Sequence, residues 1–270
     1  MLGAPRWAVS RGRGRSGFRV AGRGAFVPGL TEKLKSQLAP RYEWKRCVFG
    51  ANEREPAHPT SLTMPSRSST FYGSMIHRQV EHLTRALLTH RVSLRDFMSL
   101  AKRVREKTPR CKAWFRERVG HARGYDSLRR MARDTLKPMT LALMRYAVRR
   151  RWEPVGVEVP CTHPGLGIAT AADWVVWTRA GFMVIELKTG YARNYFKHTN
   201  HYLRGLWTRV RDSTYALHQL QLRYTEELMK ATYPGRQWAP GRVLRINARY
   251  GITSFPRPRW LHQPRLVPLR

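Results

Sequence analysis

Acidic residues are scarce in this chain. Asp and Glu together number 17 against 51 Lys and Arg, a formal net charge of +34 and a pI of about 11.5. A surface so short of carboxylates points to a polyanionic partner. Nucleic acid is the first choice, because neutralising phosphates releases condensed counterions, and an anionic membrane surface is the second. Cysteine is scarcer still: Cys47, Cys111 and Cys161 lie far apart and form no Cys-x-x-Cys pair. That spacing argues against a zinc ribbon and an iron–sulfur cluster. The odd count argues against a disulfide framework, and a reducing intracellular compartment fits. No stretch approaches the roughly 20 apolar residues of a membrane-spanning helix, and there are no internal repeats. Residues 1–31 lack both acids and Lys but carry Arg6, Arg11, Arg13, Arg15, Arg19 and Arg23 among Gly, Ser and Ala. This is either a basic arm or a transit peptide, which is Arg-rich and acid-poor, so the mitochondrial matrix and the nucleus are both open. Frequent Gly gives poor amphipathicity and weakens the transit reading.

What is present suffices for a folded domain. Hydrophobic residues make up 42%, with nine Trp and nine Phe, and 270 residues allow one large or two small domains. Arg greatly outnumbers Lys, which suits phosphate recognition and can equally reflect coding bias. Residues 48–70, rich in Pro and Ser, read as a linker. Ser69 or Thr70 can cap a helix running to about His90, with Ile76, Val80, Leu83 and Leu87 as its apolar stripe. His77 and Glu81, four residues apart, lie together beside that stripe. A second helix starts at about Ser93, with Leu94, Phe97, Ala101 and Val104 as its core face. A third extends from Ser127 to Arg150, kinked or broken at Pro138. The period then changes to two. Pro154 to Pro160 reads as a strand with Val155, Val157 and Val159 on one face and Glu158 on the other.

The acids become informative at Ala171-Ala172-Asp173-Trp174 and Phe182-Met183-Val184-Ile185-Glu186-Leu187-Lys188-Thr189-Gly190. Both segments read as strands, joined by a turn over Thr178 to Gly181. Alternation puts Glu186 and Lys188 on one face and Leu187 on the other. A hairpin can bring Asp173 beside them. A charge in an apolar strand costs several kcal/mol unless it is paired or binds a metal. One reading is therefore two carboxylates and an ammonium at a sheet end, the minimum to hold Mg²⁺ and activate a water. The other is a structural Glu–Lys pair on a solvated sheet face.

Beyond Gly190, Tyr191 to Arg211 mixes basic, aromatic and polar residues and reads as a loop or lid. Arg193, Lys197 and Arg204 are its candidates for phosphate contact. The interleaving suits a groove that tracks phosphates and stacks bases, and equally a solvated basic loop. A last helix starts near Asp212, a good N-cap. Its stripe is Leu217, Tyr224 and Leu228, with Gln221 in the middle. Gln219, Arg223, Glu226 and Lys230 take the polar side, where Arg223 joins the phosphate-contact candidates. A Gln in an apolar stripe needs a hydrogen-bond partner, so Gln221 is either a site residue or a core Gln bonded to backbone. From Gly235 the chain is rich in Pro and Arg, with one strand near Arg242 to Ile246.

The order of these elements resembles the PD-(D/E)XK nuclease superfamily, in its RecB-like and phage-exonuclease-like branch. Gly73-Ser74-Met75-Ile76-His77-Arg78-Gln79-Val80-Glu81 is similar to the branch's first motif, and Ala171-Ala172-Asp173-Trp174-Val175 to its second, with Ala near the usual Gly. Ile185-Glu186-Leu187-Lys188-Thr189-Gly190 is close to the third. Gln221-Leu222-Arg223-Tyr224-Thr225 resembles the closing motif, with Tyr224 one place early. The resemblance covers about residues 70–232 and implies an α/β (α+β) fold, a central mixed β-sheet flanked by helices in a restriction-endonuclease-like core, with a helical N-terminal part.

It also implies roles. Asp173, Glu186, the backbone carbonyl of Leu187 and His77 would hold Mg²⁺ or Mn²⁺. Lys188 would position and deprotonate the attacking water, helped by the like charge of the metal, which lowers its pKa. Gln221 would orient Lys188 or that water. Glu81 would stand behind these groups or hold a second metal ion, and Tyr224 would stand behind them. The implied organisation is a basic disordered arm and linker over 1–68, a nuclease-like domain over 69–250 and a Pro/Arg-rich tail over 251–270. Within the domain, 69–151 is helical and 152–232 holds the catalytic core. The implied function is a metal-dependent DNA nuclease acting on single- or double-stranded DNA, an exonuclease of replication, recombination or repair working with the proteins of those processes. A non-catalytic basic nucleic-acid-binding protein on a degenerate nuclease fold is the alternative. A basic membrane-surface or ribosome-associated protein comes third.

Overall fold

The alternating segments form the frame. In a computed structural model, β1 (Val9–Arg11), β2 (Gly17–Val20) and β3 (Phe26–Pro28) pair as a small antiparallel sheet, and β4 (Glu153–His163), β5 (Ile168–Thr178) and β6 (Gly181–Thr189) make an antiparallel meander. The β5–β6 turn is tight, with Thr178 paired to Gly181, and Gly181 adopts a φ of 112° that disfavours a side chain. Described are residues 2, 9–11, 17–20, 26–34, 67–189, 195–196, 198–204, 207–247 and 251–261. β9 (Arg242–Asn247) adds parallel to β6, and β10 (Gly251–Pro256) pairs antiparallel with β9. The resulting five-stranded mixed sheet has the order β10-β9-β6-β5-β4 and is flanked by helices, a restriction-endonuclease-like α/β fold. β7 (His198–Tyr202) and β8 (Arg211–Ser213) form a separate small hairpin, so the expected lid carries regular structure of its own.

Each sheet face has its own core. Trp174, Val176, Met183, Ile185, Leu187, Leu244 and Ile246 face a helical layer. That layer comprises α1 (Arg67–His90), α2 (Leu94–Arg105), α3 (Cys111–Val119), α4 (Tyr125–Arg130) and α5 (Pro138–Arg149). The stripe Ile76, Val80, Leu83 and Leu87 is buried there as its spacing predicts. Ser93 caps α2, accepting from Asp96 N at 3.0 Å. The long third helix is two helices separated by a π turn, with Pro138 at the start of the second, where its missing N–H costs nothing. Gln79 ties α1 to this break, its Oε1 accepting from Thr140 Oγ1 at 2.6 Å and Lys137 N at 3.0 Å. The helix over Cys111–Val119 was not expected. It is short, and Phe115 is its one fully buried side chain.

The opposite face carries Val159, Cys161, Val175, Val184 and Val243 against α6 (Thr214–Thr232). Ser213, not Asp212, caps this helix, accepting from Ala216 N at 3.1 Å; Asp212 is buried in β8, and burial raises its carboxyl to about 6. Of the expected polar side of α6, Gln219, Arg223 and Glu226 are also buried, and Lys230 is part-exposed. Glu226 accepts from Gly241 N and from Arg257, so segments distant in sequence cover the polar residues. Arg257 and β10 show that the tail is part of the domain, which therefore runs past residue 250. At the other end Leu2, Leu30 and Leu34 join the core beside α6, and Gly29 bridges to Ala169, so these parts of the first 68 residues are docked.

The alternation of β4 is broken twice. The ladder shifts between Pro154 and Gly156, and Glu158 has a φ of 47°. Each irregularity turns the strand over. Val155 and Val159 therefore face α6 while Val157 faces the helical layer, in place of one continuous valine face.

Candidate active site

The β5–β6 ladder stops at Trp174↔Ile185, while β4–β5 pairing continues to His163↔Ile168. The sheet therefore splits at Asp173. Asp173 Oδ2 accepts from Leu187 N at 2.8 Å, so the carboxylate takes over the place of a backbone carbonyl. One step beyond the last ladder pair, Asp173 and Glu186 lie opposite each other. On the other side Glu158 flanks Asp173. Three acids thus form a row across β4, β5 and β6 in a chain that has only 17.

His77 reaches the row from α1. Its Nε2 donates to the Leu187 carbonyl at 3.2 Å, and Nδ1 lies 3.7 Å from Glu158 Oε1 and 3.8 Å from Asp173 Oδ1. Gly73, one turn earlier, permits this approach: a Cβ there would lie 2.9 Å from Thr189 Oγ1. Ligand atoms of His77, Glu158 and Asp173 fall within 4.8 Å of one another, a spacing suited to one cation. Burial lowers the His77 imidazole, but Asp173 and then the nearby Glu158 carboxylate outweigh it, and the pKa rises to about 9.

Glu186 is fully buried. Burial first, then Asp173, raises it to about 7, against the opposing pull of Lys188. Its Oε1 accepts from Lys188 Nζ at 2.5 Å, while Oε2 has no hydrogen-bond partner among the described residues. A buried carboxylate oxygen left unsatisfied costs about 1–3 kcal/mol or more, and a bound cation removes that cost. Lys188 Nζ also donates to Gln221 Oε1 at 3.3 Å. His218, on the same helix, is driven well below its ordinary pKa by burial and by Lys188, and so is neutral.

The structure thus brings His77, Asp173, Glu186, the Leu187 carbonyl, Lys188 and Gln221 together. Other expected residues lie elsewhere. Glu81 pairs with Arg85 at 2.7 Å on the solvent side of α1. Tyr224 is buried in the core with its hydroxyl bonded to Trp207. Arg223 is buried and paired with Glu227, so it is not an exposed phosphate contact. Arg204 is exposed, and Arg193 and Lys197 lie outside the described residues.

Glu158 was missed as a member of the site. The signal that singled out Asp173 and Glu186, an acid within an apolar strand of an acid-poor chain, applied to it equally. A non-Gly residue with positive φ inside a strand costs about 1–3 kcal/mol, and such strain gathers at functional sites.

A family model described as the PD-(D/E)XK nuclease superfamily matches residues 46–250. No curated protein and no solved structure matches the chain.

Proposed function

This chain belongs to the PD-(D/E)XK nuclease superfamily, and from that premise we propose that it hydrolyses DNA phosphodiester bonds with a divalent cation, working from a strand end. The observation that carries the reading is the row Glu158–Asp173–Glu186 with His77 at one side, Lys188 at the other and an unsatisfied buried oxygen on Glu186. His77, Glu158, Asp173, Glu186 and the Leu187 carbonyl would hold Mg²⁺ or Mn²⁺, hard cations that prefer oxygen ligands. When bound, the cation supplies charge stabilisation at the phosphorus and a more acidic water.

The chain's own groups do the rest. Glu186 and Gln221 hold Lys188 Nζ from two sides, so its direction is fixed before substrate arrives. Lys188 orients the attacking water and takes its proton. Asp173 locks Leu187 N, which keeps the Leu187 carbonyl turned toward His77. DNA as substrate and action from an end rest on the likeness of the His77 to Gln221 motifs to the RecB-like branch. Replication, recombination or repair is the corresponding setting, in a reducing compartment that contains DNA.

The test is cleavage of end-labelled linear and closed circular DNA in Mg²⁺, Mn²⁺ or EDTA, by wild type and Lys188→Ala. Loss of linear DNA only with metal, reduced at least a hundredfold in the variant, is expected from removal of a general base. Sparing of the circle is expected of an exonuclease. Firm binding with no cleavage of either substrate would overturn the reading.

A further inference from the structure

Beside the acid row lies a cluster of rings that the hydrolytic chemistry does not use. Val243 pairs with Glu186 on one side and Phe255 on the other, so Phe255 is two strands, about 10 Å, from Glu186 on the same sheet face. Arg245 is the ladder neighbour of Lys188. Tyr195 and Phe196 follow β6, and Tyr215 opens α6. Phe196 lies 5.1 Å from Tyr215, 5.2 Å from Tyr195 and 5.5 Å from Phe255, centroid to centroid. The Arg245 guanidinium sits 5.2 Å from the Tyr195 ring and 5.8 Å from that of Phe255. Tyr215 N donates to Tyr195 O at 3.0 Å, and the Tyr195 hydroxyl contacts His218 Nδ1 at 3.4 Å. The base of the cluster is therefore fixed to α6.

Phe196 is the ring that does not fit a purely structural cluster. Tyr195 beneath it is fully buried, yet Phe196 is 50% exposed. One exposed apolar side chain is ordinary. An exposed ring backed by three others, with a guanidinium in the cluster and within a few base steps of the acid row, has the form of a stacking platform. The adjoining hairpin continues the pattern: Tyr202 is 53% exposed, with the Arg211 guanidinium 6.0 Å from its ring.

We propose that Phe196, on its base of Tyr195, Tyr215, Phe255 and Arg245, stacks against an unpaired nucleobase, so that the site takes single-stranded DNA in preference to duplex. A base inside a duplex has both faces stacked already, whereas an unpaired base offers one to the ring. The net charge of +34 matches the strand's phosphates, while Arg245, itself buried, braces the Tyr195 and Phe255 rings. The identity of the ligand as DNA rests on the nuclease reading; the stacking itself does not require cleavage.

The experiment is binding in EDTA, where nothing is cut. Single-stranded oligonucleotides containing 2-aminopurine and a blunt duplex of the same sequence are titrated with wild type, Phe196→Ala and Phe196→Trp. Loss of one base stack should weaken single-strand binding by about five- to a hundredfold in Phe196→Ala. The duplex should change less than about twofold, and Phe196→Trp should retain both affinity and 2-aminopurine quenching, since it keeps a π-face. The exposed position leaves the fold intact, which a thermal melt checks. Equal single-strand affinity in wild type and Phe196→Ala, or an equal loss on duplex, overturns the platform. A platform that fails in a protein that cuts linear DNA leaves the nuclease reading standing. A platform that holds in a protein that cuts nothing removes that reading instead.

Discussion

Replacing Asp173 with Asn removes one charge from beside His77 and leaves an oxygen to accept from Leu187 N, so the backbone contact survives while the field changes. In the metal-free protein, burial lowers His77, and Asp173 followed by Glu158 raises it further, from 6.5 to about 9. The rise corresponds to about 3 kcal/mol of preference for the imidazolium, at about 1.4 kcal/mol per pH unit. The His77 side chain is 28% exposed, so solvent screening reduces this to roughly 2 kcal/mol. The folded value lies above the unfolded one. The stabilisation is therefore complete below about 6.5 and is lost as pH rises through about 9. A histidine side-chain NMR titration in EDTA reads the effect directly. Wild-type His77 should titrate well into the alkaline range and fall back toward its ordinary value in Asp173→Asn. Denaturation of the two proteins should differ most below pH 6.5 and converge above pH 9. A wild-type His77 that titrates near 6.5, or one that Asp173→Asn leaves unmoved, would refute the reasoning.

Three further outcomes are expected. Glu158→Gln should weaken Mn²⁺ binding at least about tenfold by calorimetry, and unchanged affinity would remove Glu158 from the cation site. Cation binding at pH 7 should release about 1.5 protons, because the His77 imidazolium must lose its proton to become a ligand and Glu186, raised to about 7, is about half-protonated before it binds. Calorimetry in buffers of different ionisation enthalpy measures that number, and a value of zero would contradict it. Glu226→Ala should lower unfolding free energy by about 3 kcal/mol in urea titrations, since it strands the Arg257 guanidinium and the Gly241 N–H; a change below about 1 kcal/mol would show that this pair is not structural.

The sequence was legible where local pattern decides structure. The stripe Ile76, Val80, Leu83 and Leu87 and the hairpin carrying Asp173, Glu186 and Lys188 follow from spacing alone. It was misleading where distant segments decide. Glu226 and Arg223 look like a solvent face because nothing nearby in sequence covers them; Gly241 and Arg257 do so for Glu226, and Glu227 pairs Arg223. The docking of Leu2, Leu30 and Leu34 was hidden within a Gly- and Arg-rich stretch. Glu158 escaped because strict alternation was assumed. The left-handed residue that breaks the alternation is not Gly, so its composition gives no warning.

The parallel pairing of β6 with β9 bears on when the protein becomes competent. The β4–β5–β6 meander is local and can form early, carrying Glu158, Asp173, Glu186 and Lys188. Gln221 lies on the crossover that follows, and β9 and β10 complete the sheet only after that crossover has been made. Pairings of such long sequence separation form slowly. A chain still emerging from the ribosome would hold its acids and lysine without Gln221, one of the two groups that aim the lysine. Docking of that crossover onto the meander would then be the step that completes the setting of Lys188.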